Sequence, residues 1–178
     1  MARRFARRRG GIVDATFERG ELELLEGLPE QLRTLYGADD DDPAHARLFP
    51  RAYLDPTEET AQQEFDAVVH DELAGARKRA FEHITSRLES AEPDRRGVVQ
   101  LTLAADEETE WLVGVNDARL VIGTALGVSE DGDTDYERDD PRFEYGVLYG
   151  WLTALHFELV SLMLDEIGEA GTDDPAPF

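Results

Sequence analysis

The stretch that most constrains this chain is Phe143 to Ile167, FEYGVLYGWLTALHFELVSLMLDEI. Apolar residues recur at Val147, Leu148, Trp151, Leu152, Leu155, Leu159, Leu162, Met163 and Ile167. Spacings of three and four put them on one side of a helix. Phe157, Val160 and Leu164 add apolar flanks, so most of the girth of this helix is expected to be covered by other elements. A helix of this length is a rod of about 37 Å, enough to cross a small domain. A membrane span is the competing reading. His156, Glu158, Asp165 and Glu166 argue for a core helix outside any membrane, because charge is costly in lipid.

The charge balance limits the partners. The chain has 178 residues and a formal net charge of −22. Such a surface repels nucleic acid and most membranes and favours basic protein partners. There is no cysteine, so disulfides, thiolate catalysis, Cys-ligated zinc and direct thiol redox sensing are excluded for this chain. Arg3 and Arg4 have no apolar run behind them and do not read as an export signal, so the expected location is the cytoplasm.

Residues 1–19 read as a β-hairpin turning at Gly10-Gly11. With those glycines as a two-residue turn, Arg9 faces Ile12 and Arg7 pairs with Asp14 across the strands. Six arginines against two carboxylates give this segment a net +4, leaving −26 on the rest. Arg3, Arg4, Arg7, Arg8 and Arg9 are therefore candidate contacts for an anion or a partner. The plainer reading is an edge strand protected by charge or lying on the protein's own acidic surface.

Leu22, Leu25, Leu28, Leu32 and Leu35 predict a helix over 20–36, broken or kinked at Pro29. GADDDDP, 37–43, reads as a loop. LFPRAYLDP, 48–56, reads as an apolar knot containing a short helical turn, with Asp55 or Thr57 capping the next helix. That helix runs to about Ser90, with Phe65, Val68, Val69, Leu73, Ala76, Ala80, Ile84 and Leu88 as its expected buried stripe and Gly75 as a weak point. Residues 97–104, GVVQLTLA, alternate as a strand whose expected partner is the N-terminal hairpin. A second long helix spans about 106–126 and ends at Gly127. Residues 129–141 read as an acidic loop and 171–178 as a disordered tail. The expected fold is α+β: one mostly helical domain, 1–170, with a three-stranded antiparallel sheet on about four helices.

The four histidines are scattered, and no metal or nucleotide motif is present. Asp66 and His70 stand four residues apart, the spacing of a surface ion pair. No catalytic residue, metal or cofactor is expected. The pointed cluster is Asn116, Asp117 and Arg119 on the second long helix, with His156 on the last one. Buried polar groups must be paired, so these side chains form either a structural lock or a ligand contact. A small-ligand protein or an enzyme would need a pocket around them.

FARRRGGIVDATF, LFPRAYLDP, WLVGVNDARLVIGT and YGWLTALHFELV occur in this order across the chain. In these motifs the chain resembles the actinomycete AosR family of oxidative-stress transcriptional regulators, formerly a family of unknown function. The resemblance implies transcriptional control linked to oxidative stress, through a protein of the transcription machinery; the acidic surface suits a basic partner, such as a sigma factor or another basic transcription component. A cysteine-free member must leave thiol sensing to a partner or have lost that part of the role. Direct DNA binding through the arginine hairpin is the runner-up, and a homodimer through exposed helical surface is compatible with both.

Overall fold

Phe5–Arg7 (β1), Val13–Phe17 (β2) and Val99–Leu103 (β3) form an antiparallel sheet in the order β1-β2-β3. The structure is a computed structural model and describes residues 3–8, 11–35, 42–128 and 136–170. Among the described residues five α-helices pack with the sheet, four of them long: α1 Arg19–Leu35, α2 Pro43–Leu48, α3 Glu59–Glu89, α4 Ala105–Leu126 and α5 Phe143–Ala170. The α+β expectation holds, with the N-terminal hairpin and the 97–104 strand as its sheet.

The sheet buries one face. Val13, Ala15 and Phe17 on β2 and Val99, Leu101 and Leu103 on β3 point inward, and alternate residues point out. Trp111 of α4 anchors that face. Its ring stacks on Phe17 at 5.5 Å, and Phe5 meets both edge-on at 5.8 and 6.1 Å.

The hairpin register differs from the two-residue expectation. Phe5 faces Ala15, Ala6 faces Asp14 and Arg7 faces Val13. The Arg8 N–H bonds the Ile12 carbonyl at 2.7 Å, closing a three-residue loop with Gly11 at φ +85°. A left-handed residue at that position is what a three-residue hairpin loop requires. The slip moves the ion pair with Asp14 from Arg7 to Arg8 and turns Arg7 toward the interior. Arg9 and Gly10 lie outside the described residues.

Pro29 does not break α1, which runs unbroken from Arg19 to Leu35. A helix-interior proline costs about 3 kcal/mol. Leu25, Leu28 and Leu32 are buried on both sides of it, and each buried leucine returns about 1.5–3 kcal/mol. The short helix α2 precedes the knot rather than lying within it. Asp42 caps it by accepting from the N–H groups of Ala44 and His45. Asp55 caps a 3₁₀ turn, Pro56–Glu58, that leads into α3. Residues 36–41, 129–135 and 171–178, including most of both acidic loops and the tail, lie outside the described residues.

The buried stripe of α3 is shorter than its sequence suggests. Ala80, Phe81, Ile84 and Leu88 are buried, but Phe65, Val68 and Leu73 are exposed. Helix length explains part of this. At 1.5 Å per residue α3 is about 46 Å long and α4 about 33 Å, so α3 outruns its antiparallel neighbour by about 13 Å at its N-terminal end. The helix is continuous through Gly75.

The last helix is also less covered than expected. Its segment Phe143–Asp165 is long and apolar enough, by length and composition alone, to cross a membrane, and 17% of its most apolar window is buried. Leu152, Leu155, Leu159 and Leu162 are buried on its inner side, where α4 and β1 pack. Tyr145, Val147, Phe157 and Leu164 stay exposed: Val147 borders an open groove beside Leu24 of α1, and no described element covers Phe157 or Leu164.

Candidate docking surface

The arginines of the hairpin do not share one role. Arg4 binds Glu21 through Nε at 2.8 Å and a terminal nitrogen at 2.6 Å. Its backbone N–H, with that of Phe5, donates to Glu158 of α5 at 2.6 and 3.3 Å. Arg7 makes a two-point bond to Glu108 of α4 at 2.9 and 2.7 Å, with Glu108 almost fully enclosed. Arg8 reaches Asp14 at the surface, and Arg3 is exposed. Two of the five candidates are thus built into the domain, which corresponds to a strand lying on the protein's own carboxylates.

Glu21 shows how these contacts tune charge. Burial pushes its carboxyl up, but bonds from Arg4, the Glu18 N–H and the Trp151 indole outweigh that and hold it below the ordinary carboxylate value.

The polar residues of α4 and α5 fall into two groups. Asp117 is fully buried and pairs with Arg77 of α3. Asn116 and Arg119 are bonded to each other at 3.0 Å, so Arg119 is tied along its own helix and, among the described residues, not to a neighbour's carboxylate. The Nε of Arg119 is buried and has no hydrogen-bond partner among the described residues. Arg119 lines a cleft of about 760 Å³ together with Arg47, Thr124 and Tyr149.

His156 sits half-buried within electrostatic reach of Arg119. Burial first, and then the Arg119 charge, lower its pKa below 6.5. Because the folded value is depressed, the unfolded chain binds this proton more readily. The stability contributed is present above the unfolded pKa and is lost as pH falls through the folded one. His156 is therefore expected to be neutral at pH 7. Its imidazole Cε1–H resonance should titrate with a midpoint below 6.5 in wild type, and closer to 6.5 in Arg119→Gln.

Sequence reasoning missed the partners Arg77 and Glu108, although a signal was present. Glu107, Glu110, Gly114 and Asp117 follow at helical spacing and face α3. His83 meets Glu107 at 3.1 Å and also Glu110, and Arg87 meets Glu107 at 3.1 Å. Gly114 lets the helices close: a Cβ there would lie 2.5 Å from Ile84. Glu108, three residues before Trp111, lies on the core-facing side of α4 and so demanded a cation.

The first half of α3 is the part left open. Glu59 to Gly75 carries five carboxylates and no arginine or lysine. Phe65 is 38% and Val68 72% exposed, one turn apart. Glu64, Asp71 and Glu72 rim them and are exposed. On its other side, this arm and the knot enclose a groove of about 880 Å³ lined by Phe49, Leu54, Gln62, Asp66 and His70. The expected Asp66–His70 pair is not formed: Asp66 accepts from Gln62 at 2.7 Å, while the His70 ring packs at a tilt against His45 and Phe49. Among the described residues, no group of three or more His, Asp or Glu is placed to hold a metal ion.

The class defined by this fold is an acidic, mostly helical α+β domain with its buried charges paired and apolar helix faces left outside. The chain belongs to the family described as "Domain of unknown function (DUF2017)", whose model matches residues 2–163. It is similar to the oxidative stress regulator AosR of Mycobacterium tuberculosis (strain ATCC 25618 / H37Rv), at 26% identity over 162 residues, covering 85% of this chain and 70% of that protein. It is also similar to the putative oxidative stress regulator AosR of Mycobacterium leprae (strain TN), at 26% identity over 155 residues, covering 81% and 67%. No solved structure matches the chain.

Proposed function

We propose that this protein is a non-enzymatic regulator that acts in the cytoplasm by protein–protein contact in transcriptional control linked to oxidative stress. The names of its relatives support the regulatory part of this reading. The contact mode rests on one observation: the outer face of the first half of α3, with Phe65 and Val68 exposed inside a rim of carboxylates and no basic side chain but His70 on that segment. Such a face suits an amphipathic basic helix, with apolar anchors for affinity and opposite charge for steering and register. A sigma factor or another DNA-binding component of the transcription machinery has the required basic surface.

Direct DNA binding has less support. Arg4 and Arg7 already neutralise carboxylates of the same chain, and the surrounding charge opposes a phosphate backbone. With no cysteine, this chain is read as the responding partner of a sensor held elsewhere.

The test is affinity capture from the native cytoplasm, with and without oxidant, using wild type, Val68→Glu and Glu64→Lys/Glu72→Lys. A transcription component retained by wild type, weakened by salt and lost from both variants is the expected result. Recovery of none, or equal recovery by the variants, overturns the reading.

A further inference from the structure

The exposed side of α5 is independent of the α3 arm and carries a different pattern. Its inner seam follows Leu148, Leu152, Leu155, Leu159 and Leu162, all buried or partly buried against the domain. A second seam runs along the opposite side: Gly150, Thr153, Phe157, Val160 and Leu164. Both alternate steps of three and four, which is the heptad repeat of two helices packed side by side. Only the inner seam has a partner among the described residues. On the outer seam Phe157 is 71% and Leu164 61% exposed.

Charge selects the occupant. From Tyr145 to Leu164 the only carboxylate is Glu158, and it is turned to the backbone of β1. Two copies of a −22 chain repel wherever their carboxylates meet. The outer seam of α5 is an uncharged strip on which they can approach. A basic partner would find no carboxylate there to pair with.

Shape agrees. Gly150 is exposed in mid-helix, and a Cβ there would meet nothing within 4 Å, so no contact among the described residues calls for glycine. Glycine at such a position costs about 1 kcal/mol relative to alanine. In an antiparallel pair crossing near Leu155, Gly150 of one copy faces Val160 of the other and Thr153 faces Phe157. Small then meets large at each layer, as two interlocking cores require. We propose that this protein forms an antiparallel two-fold homodimer through the outer seam of α5, with Phe157 as the central anchor.

Analytical ultracentrifugation across micromolar concentrations tests this, and the absence of cysteine permits a clean cross-link. Wild type should sediment as a dimer. Phe157→Glu should be a folded monomer, with an unchanged far-UV circular dichroism spectrum and at least a tenfold weaker association. The double variant Gly150→Cys/Val160→Cys should form an intermolecular disulfide on mild oxidation, since those two positions face each other across the pair, while Val68→Cys on α3 should not. Leu164→Glu is the second disrupting variant if Phe157→Glu does not fold. A wild-type monomer overturns the proposal, whether it stays free, binds neutral phosphatidylcholine vesicles or pairs with a different protein through Phe157. So does a dimer that survives both glutamate variants. Because the surface differs from the α3 arm, either result leaves the Val68→Glu capture test intact.

Discussion

Replacing Asp117 with alanine is expected to destabilise the domain by about 3–5 kcal/mol, the usual consequence of leaving one half of a buried ion pair behind. Asp117 is fully enclosed between α3 and α4, and Arg77, which is mostly buried, is its partner. With the carboxylate gone, the guanidinium keeps its desolvation cost without the matching attraction. A loss of that size is a large part of the stability of a domain. Urea unfolding followed by far-UV circular dichroism measures it as a lower midpoint at constant slope. The paired change Arg77→Met/Asp117→Leu removes both charges and should recover most of the loss. If Asp117→Ala costs under about 1 kcal/mol, the pair is not a structural lock, and a ligand or partner role for Asp117 becomes the better account.

The second large effect concerns the hairpin. Arg7→Ala should cost about 3 kcal/mol, because Glu108 would remain in the core with its two-point donor removed. Arg3→Ala should be close to neutral, since its side chain is exposed. The contrast separates two explanations of an arginine-rich N-terminus. If the arginines serve a nucleic acid, all should affect affinity and none should greatly affect folding. If they clamp β1 to the body, stability should follow enclosure, with Arg7 first, then Arg4, then Arg8. Thermal unfolding of the single variants gives this order directly. Equal, small effects at Arg3 and Arg7 would count against the clamp.

Much of the architecture was legible because it depends on local periodicity. The strand at 99–103 alternates strictly, Gly127 takes up the left-handed cap at φ +69°, and the long helices carry apolar repeats at three and four. Helix continuity at Pro29 was not legible, since it turns on burial of leucines from both halves of α1. Nor was the hairpin register: a loop of three residues instead of two shifts every cross-strand pair and reverses which arginine faces inward. At the α4 cluster, the sequence marked Asn116, Asp117 and Arg119 together. Rotation along the helix then separated them, sending Asp117 to α3 and leaving Arg119 at a cleft.

What the amino-acid order determined by itself is each element's kind and its apolar side, together with an acidic, cysteine-free exterior. Those are properties of neighbours three or four positions apart, and they need no distant contact. Tertiary structure alone decided which apolar sides find cover. α3 and α5 each carry more apolar surface than the domain can enclose, because α3 outruns α4 and α5 has described elements on one side only. An apolar residue reads the same in the sequence whether it ends in a core or at an interface. Only the length and placement of its neighbours distinguish the two.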